Sequence, residues 1–344
     1  MKVFLLAAGE GTRLRPLTYQ VPKPLVPVMD RPVLGHVLDN LKRQGVKDVV
    51  VNLHSQAGEI RSFCRGGSPW GMRITYSLER ELMGTAGAVR KMASFFRGEP
   101  FFVLSGDGVS EIRLEEVMRF HKRKRALATM VLKAVDHRFQ YGVTKTDAQG
   151  RIRGFYEKPS WGDVFSNTVN TGIYVYDPEV FRYIPSGRPY DFGHQLWPLL
   201  LKQKKRIFGF LFSGYWCDIG NLEEYRRCQR DALDGRVRLE LGARQLRPGI
   251  WVGQGSRIHP EAVLKPPCLL SSLCRVGAGA VLGPHSVVGR EARIMARAVV
   301  KNSILFPKVC VGKEVRLSNC IVGSNGSVTD HAVDYVDAIL MAKS

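Results

Sequence analysis

Val3-Phe4-Leu5-Leu6-Ala7-Ala8-Gly9-Glu10-Gly11-Thr12-Arg13-Leu14-Arg15-Pro16-Leu17-Thr18, followed by Pro22-Lys23-Pro24-Leu25, is the stretch on which the rest of the chain turns. Its apolar start is too short for a helix and suits a strand buried on both faces. Gly9 and Gly11 then give the backbone conformations closed to residues with a Cβ, so that neighbouring amides can converge on an anion. Arg13, Arg15 and Lys23 add full positive charge close by; arginine forks onto phosphate oxygens and lysine acts as a compact point charge. A dinucleotide fingerprint would need glycine at position 14, where Leu14 stands, and a Walker loop would need Gly-Lys-Ser/Thr after four intervening residues. The stretch therefore reads as a strand leading into a loop that cradles a polyphosphate.

Working outward, 33–44 has helical spacing closed by Gly45. Strands are expected at 48–53, 72–78 and 100–104, with a helix over 86–96. Strands alternating with helices imply an α/β fold with a mixed, mostly parallel sheet. Ligands gather beyond the carboxyl ends of such strands, where Gly9, Gly11 and Asp107 all fall. Asp107 is a candidate ligand for a hard cation, and Asp218, in Tyr215-Trp216-Cys217-Asp218-Ile219-Gly220, is a second. Two carboxylates from separate segments suit magnesium, which takes few protein oxygens and keeps places for water and phosphates. Gly84-Thr85-Ala86-Gly87-Ala88 combines a helix start with small residues against which a flat base could lie. Glu157-Lys158-Pro159 and Asn170-Thr171-Gly172 offer the acceptors, amides and cation that a sugar phosphate needs.

From about residue 250 the texture changes. Val252, Ile258, Leu264, Leu270, Val276, Leu282, Val288, Ile294, Val300 and Phe306 are apolar at steps of six. Ser256, Ala262, Cys268, Cys274, Ala280, Ser286, Ala292 and Ala298 follow the first eight of these by four residues, and all are small. That pattern marks a hexapeptide-repeat β-helix, in which stacked coils bury a continuous core. The register slips near Phe306, where Leu305, Val311 and Leu317 continue one residue early. The expected division is 1–235, a linker over 236–249, the β-helix over 250–323, amounting to some three coils, and a closing tail over 324–344.

The totals agree with a soluble globular protein long enough for two domains. The chain has 344 residues, 44% hydrophobic and 24% charged, with a formal net charge of +20. The basic residues are spread along the chain rather than gathered on a nucleic-acid face; the clusters at 122–125 and 202–206 fall where helices should end, which favours cations. No apolar run approaches the roughly 20 residues of a membrane span, and the N-terminus lacks a secretory signal pattern, so a cytoplasmic location is expected. The seven cysteines form no C-x-x-C pair, and reduced, packed thiols are expected.

In these motifs the chain resembles the sugar-1-phosphate nucleotidylyltransferases, most closely bacterial mannose-1-phosphate guanylyltransferases carrying a left-handed parallel β-helix. The resemblance implies a Rossmann-like nucleotidyltransferase domain at the N-terminus. It implies attack of the sugar-1-phosphate oxygen on the α-phosphorus of a nucleoside triphosphate, expelling pyrophosphate. Arg13 would hold the β- and γ-phosphates and Lys23 the charge around the α-phosphate. Leu6, Ala8, Gly9, Gly11 and Thr12, with Gly84 and Thr85, would bind the nucleotide. Gly106, Glu157, Asn170 and Gly172 would hold the sugar, Lys158 its phosphate, and Asp107 and Asp218 would carry Mg²⁺. The β-helix would pack and join subunits into a homo-oligomer. GTP with mannose 1-phosphate is the reading taken. Adenylyl, thymidylyl or uridylyl transfer to glucose 1-phosphate and a non-catalytic regulatory homologue stay as alternatives. So does acyl transfer on the β-helix through His259, His285 or His331.

Overall fold

The computed structural model describes residues 1–135, 141–158, 166–330 and 332–342; Pro159 and His331 lie outside them. The chain forms two compact units, one from Met1–Glu10 and Val37–Asp218, the other from Gly11–His36 and Ile219–Ser344. These units do not part at residue 235 but interleave along the chain. The stretch after Glu10 and the helix after Asp218 fold together with the C-terminal coil.

The first unit is built on a nine-stranded sheet. Its parallel half comprises β1 (Lys2–Leu6), β2 (Asp48–Leu53) and β3 (Arg73–Leu78), with α1 (Val33–Arg43) between the first two strands. After α2 (Gly84–Lys91) comes β4 (Phe101–Ser105), which pairs on the other side of β1. Val3, Phe4, Leu5 and Val49 to Val51 are wholly buried, as central parallel strands require. The helix expected over 86–96 starts at Gly84 and stops at Lys91, and a separate turn, Ala93–Phe96, follows.

Beyond β4 the parallel order ends. A short strand β5 (Gly108–Ser110), helix α3 (Leu114–Lys124) and β6 (Ala128–Ala134) lead to β7 (Val143–Thr146), β8 (Ile152–Tyr156) and the long β9 (Thr168–Tyr176). β9 runs antiparallel to β4, β6 and β7, while β10 (Ile207–Leu211) returns parallel to β6. The sheet is thus mixed, parallel only in its first half and about β10. The core packs Phe4, Phe101, Val103, Tyr174, Tyr176, Phe192 and Trp197 into one cluster. A separate two-stranded ribbon joins β5 to β11 (Trp216–Asp218).

The second unit is a parallel coil. Strands from Ile250–Gly253 to Ile339–Leu340 stack in three sheets, with Ile250 beside Cys268, Arg257 beside Arg275 and Val263 beside Val281. Cys268, Cys274, Ala280, Ala292 and Ala298 are fully buried inside with Leu270, Leu282 and Val300, as the six-residue pattern requires. The slip has a structural cause. Val300 still follows Leu282 by a full coil, but Leu305 pairs with Val288 one residue early, so the step between those strands is short by one residue. Phe306, displaced from the inward series, instead meets the ring of Tyr225 edge-on.

Two expectations about this unit need correction. Ser327–Val328, Asp334–Val336 and Ile339–Leu340 extend all three sheets, so the segment after 323 continues the coil instead of closing it as a tail, and the coil exceeds three turns. The presumed linker contains Ala243–Arg247, which pairs antiparallel with the first coil strand and covers its edge. Ahead of it, α4 (Leu222–Leu233) is capped by Asn221, whose side chain accepts from the Glu224 amide at 2.9 Å. Among the described residues no helix is long and apolar enough to cross a membrane, and none of the seven cysteines is in a disulfide.

Candidate active site

In the first unit the end of β1 is fixed by a buried relay. The Ala7 amide donates to Asn52 Oδ1 at 2.7 Å, Asn52 Nδ2 donates to Glu79 Oε1 at 2.7 Å, and Glu79 Oε2 accepts from the Met83 amide at 2.9 Å. Asn52 and Glu79 are 4% and 3% exposed, so every polar atom named here replaces water lost on folding. Gly106 closes on the same strand end: its amide donates to Leu6 O at 2.9 Å, and a Cβ would stand 3.0 Å from that oxygen. Ala7 and Ala8 are buried while Gly9 and Glu10 emerge to solvent. Leu6, Ala8, Gly9 and Gly106 are therefore gathered at one sheet edge.

The two aspartates, 111 residues apart in sequence, meet on the ribbon. Asp218 sits directly opposite Gly108 in the antiparallel pairing, one position from Asp107. Both are half-buried, and Ser105 Oγ donates to Asp107 Oδ1. Among the described residues no group of three or more His, Cys, Asp or Glu side chains converges as a closed metal cage. A pair of half-solvated carboxylates from adjacent strands does fit a hard cation that keeps most of its coordination for water and substrate oxygens.

Next to the ribbon, β9 bulges between Asn170 and Tyr174. Trp216 Nε1 donates to Thr171 O at 3.2 Å, tying β11 to that bulge. Asn170 Oδ1 accepts the Gly172 amide at 3.0 Å, and its Nδ2 donates to Tyr174 Oη at 2.8 Å. Gly172 has φ 74, a backbone conformation that favours glycine. The Glu157 carboxylate is wedged between two glycines: a Cβ on Gly142 would lie 2.8 Å from Oε2, and one on Gly193 would collide with it outright. Burial pushes the Glu157 carboxyl above its ordinary value, against the pull of Lys158 and with the help of Asp191. Lys158 itself is exposed.

Gly84 and Thr85 carry a role that sequence reasoning did not find. Thr85 Oγ1 donates to Asp191 Oδ2 at 2.8 Å and accepts from the Phe192 amide at 2.8 Å. A Cβ on Gly84, at φ 66, would come within 2.6 Å of Tyr190 O, which also accepts from the amides of Ala86 and Gly87 at 2.9 Å. The start of α2 thus grips 190–192, and Asp191 in turn accepts from the His194 amide at 3.0 Å beside the glycine that admits Glu157. The Gly84–Thr85 motif and Glu157 are joined by Asp191 and Gly193, neither of which stands in a recognisable sequence pattern. The same holds for Asn52 and Glu79, whose partners lie 45 and 27 residues apart.

In the second unit the basic loop is folded back on itself. Gly11, at φ 66, packs so closely on the Lys23 stem and Thr18 that a Cβ would lie 2.9 Å from each. Thr18 Oγ1 donates to Gly11 O at 2.9 Å, and Leu14 and Leu17 are buried beneath. Thr12 and Arg13 lie exposed in the turn Thr12–Leu14, and Lys23 opens the turn Lys23–Leu25. The glycine is therefore what brings the Lys23 stem beside the turn that carries Arg13. The strand that follows is clamped by α4: Pro27 O accepts from Tyr225 Oη and from Gln229 Nε2, both at 2.8 Å, and Gln229 Oε1 accepts the Met29 amide at 2.7 Å. On the coil, His285 Nε2 lies 2.7 Å from Asp234 Oδ1, so it is engaged structurally; His259 is exposed, and among the described residues it joins no group of three metal-ligating side chains.

Comparison with known proteins divides the chain continuously along its length, where the two compact units interleave. Residues 2–235 match the family model described as Nucleotidyl transferase, and residues 264–338 match the one described as GMPPB C-terminal domain. A UTP--glucose-1-phosphate uridylyltransferase of Synechocystis sp. is 33% identical over 99% of this chain and 92% of its own. A probable mannose-1-phosphate guanylyltransferase of Oryza sativa subsp. japonica is 33% identical over 100% of this chain and 96% of its own. Among solved structures, a Bacillus anthracis protein assigned as a glucose-1-phosphate thymidylyltransferase superposes with a TM-score of 0.62 at 27% identity, covering 70% of this chain and 97% of its own.

Proposed function

Because the chain belongs to the nucleotidyl transferase family, with its sugar-1-phosphate enzymes as relatives, we propose that it transfers GMP from GTP to mannose 1-phosphate. An oxygen of the sugar phosphate attacks the α-phosphorus, the bond to the β-phosphate breaks, and pyrophosphate leaves with the electron pair. No protein atom becomes covalently bound, so the side chains work by positioning and by neutralising charge. Lys23 meets the charge around the α-phosphate, Arg13 holds the β- and γ-phosphates, and the loop amides after β1 cradle the chain of phosphates. The carboxylate of Glu157, with Asn170 and the Gly172 amide, orients the sugar hydroxyls, and Lys158 meets the sugar phosphate. Asp107 and Asp218 are the residues that would hold magnesium, which supplies charge neutralisation and alignment of attacking and leaving oxygens.

The observation that carries this reading is Asp218 lying one position from Asp107 on the ribbon, beside the Asn170–Gly172 bulge. The match of residues 264–338 to the GMPPB C-terminal domain favours guanine and mannose. Uridylyl transfer to glucose 1-phosphate is the second reading, favoured by the Synechocystis relative spanning nearly the whole chain. Pyrophosphate release measured over a matrix of four triphosphates and two sugar phosphates separates them; turnover with UTP and glucose 1-phosphate but not with GTP and mannose 1-phosphate selects the second. We place the reaction in the cytoplasm, where free thiols and nucleoside triphosphates coexist. Self-association through the coil, with Leu246 and Val336 exposed on it, is read from the mass of the full chain by light scattering.

A further inference from the structure

On one sheet of the coil, Arg257, Arg275 and Arg293 occupy the same position on three successive strands, in direct register. All three are exposed, and the row ends at Cys310, which takes the next place beside Arg293. Neighbouring strands lie about 4.8 Å apart, so the row presents three guanidinium groups over roughly 10 Å. Like charges set directly opposite one another destabilise a sheet, and the coil does not relieve them with acids. Arg290 pairs with Glu291, Arg297 with Glu314, Arg316 with Asp334 and His285 with Asp234, and none of these pairs involves the row. Hollows lie along both flanks. One, of about 620 Å³, is lined by the three arginines with Leu273, Lys308 and Glu291, the last already paired with Arg290. The other, of about 670 Å³, runs past His259, Pro260 and Met295.

We propose that this row is a second anion site, distinct in its residues from those assigned to nucleotidyl transfer, and that it takes a soluble oligophosphate. Arginine offers planar, forked donors to phosphate oxygens and remains charged at any physiological pH. The spacing selects the class of ligand. Carboxylates on one face of an extended peptide recur at about 6.7 Å, two residues of rise, and so fall out of step with guanidinium groups about 4.8 Å apart. A row of three is also too short to track a long nucleic-acid strand. Adjacent phosphates joined through one oxygen are closer together and can each be bridged by two neighbouring guanidinium groups.

Tripolyphosphate is titrated calorimetrically into the full chain at physiological ionic strength. Three proteins are compared: the unsubstituted chain, the triple variant Arg257→Gln, Arg275→Gln, Arg293→Gln, and a charge-matched control, Lys42→Gln, Arg65→Gln, Arg97→Gln. The expected result is one more equivalent bound by the unsubstituted chain and by the control than by the row variant, and at least tenfold weaker binding at that site when inorganic phosphate replaces tripolyphosphate. In low-salt, phosphate-free buffer the row variant should also melt higher than the unsubstituted chain, since a repulsive stack has been removed. Equal stoichiometry in the unsubstituted chain and the row variant overturns the proposal, as does an equal loss in the control. Inorganic phosphate binding as tightly as tripolyphosphate overturns the assignment to an oligophosphate.

Discussion

Lys23 is one residue on which the chemistry can be tested singly. Gly11 packs against its stem, and Thr18 braces Gly11, so truncation at Lys23 removes the charge while leaving the turn. Lys23→Ala should lower kcat at least about a hundredfold, the size of one lost charge-stabilising group, with the melting temperature little changed; an unchanged kcat would refute the role. Glu157 gives a pH test with a definite sign. Its folded value is raised by burial, so the native state holds a proton that the unfolded chain has released. Stability therefore falls as pH rises from the ordinary carboxylate range through that raised value. Glu157→Gln should flatten that slope in urea unfolding series; an identical slope in both proteins removes Glu157 as its source. The basic loop after β1, both aspartates and the 157–172 motifs stand out in the sequence because each is a local run of chemistry-bearing residues. Asn52, Glu79 and Asp191 do not, because what makes them matter is a hydrogen bond to a partner tens of residues away.

At the scale of elements, α3 shows burial overruling helix electrostatics. His121 lies in its last turn, where a cation is favoured, yet it is 2% exposed with Nδ1 2.9 Å from Thr129 Oγ1, and burial pushes it down to about 4. A folded value below the unfolded one means that stability is fully present above about pH 6.5 and lost as pH falls toward 4, by on the order of 3 kcal/mol. His121→Gln should abolish that acid-limb loss in denaturation midpoints taken between pH 7 and pH 4, whatever its cost at neutral pH. In the coil, Gly283 has φ 93 and a Cβ would overlap Lys265 O, so Gly283→Ala should lower the melting temperature sharply; an unshifted melt would mean that the coil can open there. The six-residue period was readable because every coil repeats one rule, large inside and then small. Its continuation past residue 323 was not, since the steps there change length and Ser327 and Asp334 break the apolar pattern. The antiparallel half of the sheet was hidden for another reason: strand direction depends on where a connection returns, which a local run of residues does not spell out.

For the molecule as a whole, the two units interleave along the chain, and that decides how it can be taken apart. Residues Gly11–His36, bearing Arg13 and Lys23, belong with the coil, held by α4 through Pro27 and Met29. α4 is itself seated on the coil, with Tyr225 against Phe306 and Arg226 Nη1 donating to Asn319 Oδ1 at 3.1 Å; separately, the Gly242 amide donates to Asp30 Oδ2 at 2.8 Å. A protein ending at residue 235, the boundary that composition suggests, should therefore lose most of its turnover and unfold early, although every residue assigned to chemistry is still present. Full activity in that truncation would show the coil to be dispensable. The same arrangement constrains anyone wishing to exchange parts with a relative: a chimaera that swaps the tail alone sets a foreign surface under a native clamp. The unit of exchange is 11–36 together with everything after 218, two pieces of chain that must be inherited as a pair.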